Sequence, residues 1–212
     1  MRRRSDSSRR LEALVAEIHA CRICVERPTT KPLPHEPRPV LRVSITARLA
    51  VCGQAPGTRV HASGVPFTDP SGDRLRAWMG VDAETFYDAD RVAIVPMGFC
   101  FPGLDAKGGD LPPRSECQAH WHARLFSLLP QVELVLLVGQ YAQRWHLGAR
   151  AGSSLTETVA AWRDHVEQPV AGRRYVPLPH PSWRNNAWVK RNPWFDAELL
   201  PHLRREVRRV LG

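Results

Sequence analysis

Four short apolar segments of strand character, Arg48–Cys52, Arg91–Val95, Leu134–Val138 and Tyr175–Leu178, are separated by stretches of helical periodicity. No other feature constrains the fold as much. The helical patterns lie around Asp73–Met79, Ser115–Leu129, Tyr141–Leu147 and Leu155–Val166, and a last amphipathic helix follows Pro193. Strands that are apolar throughout have no polar face to show to water, and strands joined through helices run parallel. The pattern therefore predicts an α/β fold, a three-layer α/β/α sandwich around a central four-stranded parallel sheet. A chain of 212 residues without a composition shift in its middle suits one core, so residues 1–212 are read as a single domain.

The flanking segments are simpler. Residues 1–10 are Arg-rich and read as a basic tail, after which Leu11, Leu14, Val15 and Ile18 recur at helical spacing and lead into Cys21-Arg-Ile-Cys24. Residues 26–39 are proline-rich and read as an extended surface connector. In the last helix Asn192 is a plausible cap, Pro193 takes the first position, and Phe195, Leu199, Leu203, Val207 and Val210 share one face. Pro201 inside it predicts a kink. The longest apolar run, Leu134–Val138, is too short to cross a bilayer, and the N-terminus lacks the apolar stretch of a secretory signal. A cytoplasmic monomer with no membrane partner is expected.

The formal charge of +9 is carried almost wholly by arginine, with Lys31, Lys107 and Lys190 the only lysines. Guanidinium groups suit bidentate phosphate contacts, so nucleic acid is the natural partner, although a basic surface that binds nothing has the same composition. Five cysteines in a chain of this kind point to metal or redox chemistry rather than to a disulfide framework.

Ligands of open parallel sheets sit beyond the carboxyl ends of the strands, and two loops there are unusual. The first strand ends in Gly53-Gln54-Ala55-Pro56-Gly57, followed by Gly64-Val65-Pro66-Phe67 and a helix entered through Ser71-Gly72-Asp73. Such a turn exposes backbone against which a planar ligand can lie. On this signal alone Phe67 reads better as a core aromatic. The fourth strand runs into Pro179-His180-Pro181-Ser182-Trp183-Arg184. Prolines on both sides fix the imidazole, which can donate a hydrogen bond to an oxygen gaining negative charge; a histidine merely satisfied in a turn would look the same. Arg184, Asn185, Asn186, Trp188, Lys190 and Arg191 continue a loop of planar and basic groups. These suit insertion into a duplex and phosphate contact, or else a loop packed on the last helix by its tryptophans.

With these loops the chain resembles the uracil-DNA glycosylase superfamily, most closely its iron–sulfur branch, family four, from Cys21 to the final helix. The matching motifs are Gly53–Gly57, Gly64–Phe67 and His180–Ser182. The resemblance implies a monofunctional DNA-repair glycosylase that flips uracil, or another deaminated base, out of DNA and hydrolyses its N-glycosidic bond. It implies Phe67 stacked on the base, Gln54 on the pyrimidine face, His180 at the O2 oxygen, and Gly53, Ala55, Pro56 and Gly57 around the pocket. Ser182, Trp183, Arg184, Asn185, Lys190 and Arg191 would contact DNA, with Arg184 at the position of the relatives' wedge residue. The family also holds a [4Fe–4S] cluster, here implied on Cys21, Cys24, Cys100 and Cys117; tetrahedral zinc accepts the same ligands. Cys52 is left over and reads as a small apolar core residue.

Several positions depart from the family pattern. Ala55 stands where the best-known branch has a water-activating aspartate, and Gln54 replaces the glutamate usual in family four. Asp69, Asp73 and His61 are candidates for positioning water. Pro96, followed by Met97 and Gly98, replaces an asparagine that reads the uracil edge, so edge reading is expected from backbone groups or another residue. Between Cys100 and Cys117 there is no histidine, which argues against the covalent DNA attachment of one related branch. A non-catalytic DNA-binding protein on the same fold is the alternative.

Overall fold

A computed structural model of the chain describes residues 6–212. In chain order its elements are α1 (Asp6–His19), α2 (Ile23–Glu26), β1 (Leu49–Cys52), α3 (Thr58–Ser63), α4 (Pro70–Met79), α5 (Ala83–Tyr87) and β2 (Val92–Ile94). Then follow α6 (Ser115–Ser127), β3 (Leu134–Val138), α7 (Gln140–Leu147), α8 (Leu155–Ala160), α9 (Trp162–Glu167), β4 (Arg174–Leu178), α10 (Asn186–Arg191) and α11 (Leu200–Leu211). The strands form one sheet in the order β2-β1-β3-β4 with every neighbouring pair parallel, as the apolar runs predict. The chain leaves β1 toward β2 and later returns on the other side of β1 as β3. The loops after β1 and β3 therefore diverge and open a crevice at their carboxyl ends.

Alternation of side chains across the sheet divides the core in two. Leu49, Val51, Ile94, Leu134, Leu136 and Val176 pack with Leu75 and Met79 of α4, Trp162 of α9 and Leu203 and Val207 of α11. Ala50, Cys52, Ala93, Val95, Val135 and Leu137 face Leu11, Leu14 and Ile18 of α1, Trp121 and Leu125 of α6 and Leu147 of α7. Each fully buried leucine or valine contributes roughly 1.5–3 kcal/mol. A one-residue slip of β1 would exchange its two faces, and this is what fixes the register. Cys52 is a fully buried member of the second cluster, and burial pushes its thiol up.

Several boundaries differ from those expected. Residues 6–10, read as tail, are the first turns of α1, and residues 1–5 lie outside the described residues. Segment 26–39 has no regular structure beyond the last residue of α2, Glu26, but it is more than a surface connector. Leu33 is buried, and Arg114 Nη1 donates to the Lys31 carbonyl at 2.7 Å. Lys190 and Arg191 lie on α10, not in a loop. Asn192 does not cap the last helix with its side chain; its Nδ2 donates to Trp188 O at 2.8 Å, at the end of α10. The last helix opens with a π turn, Phe195–Leu199, before α11. Pro201 has no N–H to give, and its ring would collide with the carbonyl four residues back, so the wider turn takes the place of a simple kink. The expected face of Phe195, Leu199, Leu203, Val207 and Val210 is buried. No helix among the described residues is long and apolar enough to cross a membrane.

Candidate active site

The Gly53–Gly57 turn after β1 and His180 after β4 line one cavity, with Val40, Val60, Pro66, Phe67, Asp69, Ser71, Ile94, Pro96 and Asp110 completing its wall. Its volume of about 80 Å³ is several times what one water needs, about 10–15 Å³. Gln54 turns toward the crevice between β1 and β3. A β-carbon on Gly139 (φ 87°) would stand 2.7 Å from Gln54 Nε2, so glycine at the end of β3 makes room for the amide.

Phe67 occupies the left-handed region, with φ 55°, where a non-glycine residue is strained. Three contacts hold it there. The Tyr87 hydroxyl donates to its carbonyl at 3.0 Å, Arg76 Nη1 donates to the same oxygen at 3.4 Å, and its ring stands edge-on to Phe86 with centroids 5.8 Å apart. Phe67 is thus braced by the core while remaining half-buried at the cavity wall.

His180 is fixed as its flanking prolines suggest. Pro179 and Pro181 are buried, and Asn185 Nδ2 donates to the His180 carbonyl at 2.7 Å. Burial pushes the imidazole below its ordinary value, Asp69 opposes that shift and Arg184 adds to it. At neutral pH the ring is therefore neutral and presents one N–H.

Of the Pro96-Met97-Gly98 stretch only Pro96 reaches the cavity. Met97 is fully buried in the second core cluster, and Gly98 lies against Pro113. The cause is the backbone ladder: Met97 N–H donates to Gly53 O and Gly98 N–H to Gln54 O, both at 2.9 Å. The Pro96 carbonyl pairs with Nε2 of buried His122 at 3.0 Å, and burial holds that imidazole at about 4. The Met97 and Gly98 N–H groups are thereby engaged within the fold, and the Pro96 carbonyl already accepts from His122.

A groove adjoins the cavity and shares Gly57, Val60, Asp69, Ser71 and Asp110 with it. Its other walls carry Arg59, Arg74, Ser182, Trp183, Arg184 and Asn186. Arg74 Nη1 donates to Asn186 Oδ1 at 2.6 Å, tying α4 to α10. Trp183 is 75% exposed and Arg184 lies 5.7 Å from its ring centroid. Lys190 and Arg191 are exposed but do not line this groove, and Asn185 serves the His180 turn instead. Trp188 is buried, its Nε1 donating to Thr156 Oγ1 at 2.8 Å, so this tryptophan packs the loop inward.

Cys21, Cys24, Cys100 and Cys117 line a second cavity, closed by Ile18, Pro37, Pro39, Gly98, Phe99, Arg114 and Trp121. Burial, reinforced by Glu116, pushes the Cys24 thiol up to about 11, and burial pushes Cys100 up to about 12. Burial also raises Cys117, opposed by a hydrogen bond from the Phe99 N–H at 3.3 Å and reinforced by the other three thiols. Among the described residues no three His, Cys, Asp or Glu side chains are gathered as a single bound ion would gather them.

Sequence reasoning missed Arg59, Arg74, Ser71 and Asp110. The two arginines are unremarkable in a chain this rich in arginine, and Asp110 reaches the cavity only through the closure of a long loop. Of the candidates for positioning water, Asp69 Oδ1 accepts from Gly72 N–H at 3.1 Å as the cap of α4. Asp73 pairs with Arg76 at 2.6 Å, and His61 packs against His35 outside the cavity.

The sequence matches the family model for the Uracil DNA glycosylase superfamily over residues 42–204, a span containing the whole cavity wall except Val40, together with Cys100 and Cys117. Motif turns at the carboxyl ends of β1 and β4, a braced aromatic and a fixed neutral histidine around one cavity accord with that match, and the chain belongs to the uracil DNA glycosylase superfamily.

Proposed function

We propose that the protein is a monofunctional glycosylase that excises uracil from DNA and leaves an abasic site. The observation that carries this reading is the convergence of Gln54, Phe67 and His180 on one cavity beside an arginine-lined groove. A base must leave the stack before its glycosidic carbon is accessible, at a cost of a few kcal/mol that the pocket must offset. Phe67 offers a face for the extruded ring, and the groove arginines hold the flanking phosphates. His180, neutral and fixed, donates its N–H to the base oxygen on which charge develops as the bond breaks.

Because Pro96 gives the base an apolar wall where relatives have an asparagine, we propose that hypoxanthine and xanthine are accepted beside uracil. Oligonucleotides carrying each base, incubated with enzyme and then with alkali, test both parts. Scission at uracil and at one or both purines is expected. Cleavage of uracil alone discards the breadth, and retention of DNA without scission makes the protein a binder.

We further propose a [4Fe–4S] cluster held by Cys21, Cys24, Cys100 and Cys117, on the ground that these four thiols, three of them buried, line one cavity with a backbone N–H directed at one sulfur. When bound, such a cluster would serve as a cross-link between the α1–α2 region and the loop after β2. The purified protein is expected to be brown with broad absorption in the blue, and Cys117→Ser to lose that colour and melt at lower temperature. A colourless protein containing stoichiometric zinc would replace iron with zinc, and a metal-free, fully stable protein would remove the cofactor altogether.

A further inference from the structure

The cavity and the groove meet along a short seam, and that seam has a chemical meaning. An extruded nucleotide puts its base in the cavity and its phosphates in the groove, so its sugar must lie where the two join. The residues common to both are Gly57, Val60, Asp69, Ser71 and Asp110, of which only Asp69 and Asp110 carry a carboxylate. Asp69 already accepts the Gly72 N–H as the cap of α4. Asp110 has no hydrogen-bond or ion-pair partner for its carboxylate among the described residues, and its Oδ2 stands 3.3 Å from where a β-carbon on Gly57 would be.

The loop that delivers Asp110 is built to hold it there. Leu111 N–H donates to Gly103 O at 2.9 Å, and Leu104 and Asp110 form an isolated bridge. Asp105 closes the tip, its Oδ1 accepting from the Lys107 and Gly109 N–H groups at 2.8 and 2.9 Å. The charged groups that act on Asp110 are Arg184 from the His180 loop and Asp69 from the start of α4, while partial burial pushes its carboxyl up.

We propose that Asp110 is the catalytic carboxylate that directs the attacking water, the task left open by Ala55; this rests on the glycosylase reading above. In the step, the C1′–N bond breaks and its electron pair leaves with the base as an anion, met by the His180 N–H. The water oxygen bonds to C1′, its proton passes to the Asp110 carboxylate, and solvent later returns a proton to the base. The negative carboxylate at the seam also faces the positive charge that the sugar acquires.

The test is single-turnover excision from a uracil oligonucleotide by wild type and Asp110→Asn, with DNA affinity at fixed salt and thermal melting measured for both. The variant is expected to melt like wild type and to bind DNA as tightly or more tightly, because one negative charge has left the groove wall. Its excision rate is expected to fall by about 10²-fold or more. A variant rate within about threefold of wild type overturns the assignment, as does a rate loss matched by a loss of folding. A covalent enzyme–DNA adduct surviving denaturation with wild type but not the variant also overturns it, since the carboxylate would then attack carbon itself. Wild type that cleaves no base at all overturns the glycosylase reading, an outcome separate from any difference between the two proteins.

Discussion

His180→Ala lowers single-turnover excision by about 10²–10³-fold, the loss expected when one preorganised donor to a developing anion is removed. The physical reason lies in how little the rest of the fold depends on this ring. Its backbone carbonyl, not its side chain, is what Asn185 holds, and the buried prolines on either side survive the substitution. Melting temperature and salt-dependent DNA affinity are therefore expected to stay near wild type while the chemical step collapses. On the proposed reading, affinity is expected to rest on phosphate contacts from Arg59, Arg74 and Arg184, which line the adjoining groove and are left in place by the substitution. Parallel loss of melting temperature and rate would instead make His180 a structural residue and remove the leaving-group role.

Gly72→Ala is expected to be the most damaging small substitution in the active-site region. A β-carbon there would stand 1.9 Å from the Phe67 carbonyl oxygen and 2.7 Å from its carbonyl carbon, both backbone atoms that cannot rotate away. That same oxygen receives the Tyr87 hydroxyl and Arg76, so displacing it breaks the contacts that keep Phe67 at positive φ. Overpacking against backbone should cost about 3 kcal/mol or more. In a chain of this size that lowers the melting temperature by roughly 6–12 °C. Excision by the surviving folded fraction should fall as well, because the Phe67 ring, proposed to stack on the base, is no longer fixed. A shift in melting temperature under roughly 2 °C would show that the loop absorbs the methyl group and that its geometry is not tightly held.

The sheet was legible because parallel strands buried on both faces must be apolar throughout, and β1, β2 and β3 are buried at every residue. The two motif turns were legible because glycine and proline mark loops, and the prolines around His180 restrict it visibly. What the sequence concealed depended on tertiary closure. Met97 and Gly98 follow Pro96 directly, but their N–H groups are taken by Gly53 and Gln54, which turns both residues away from the cavity. Asp110 sits in an ordinary Gly-Gly-Asp turn, and nothing local shows that the Gly103–Leu111 closure carries it to the Gly57 turn. The division between α8 and α9 at Ala161 has no glycine or proline to announce it. The expected basic tail failed at residues 6–10 because arginine is a good helix former, and Asp6 favours the first turn of α1.

Pro96 lines the Gln54–Phe67–His180 cavity and Gly98, two residues on, lines the cysteine cavity. The Pro96–Gly98 segment therefore contributes to the walls of both cavities, and His122 Nε2 is hydrogen-bonded to the Pro96 carbonyl within it. Because packed interiors yield little to compression, a change in volume around the thiols is expected to shift the Pro96 wall of the other cavity. On the proposed reading, oxidation of these thiols is therefore expected to alter base selection.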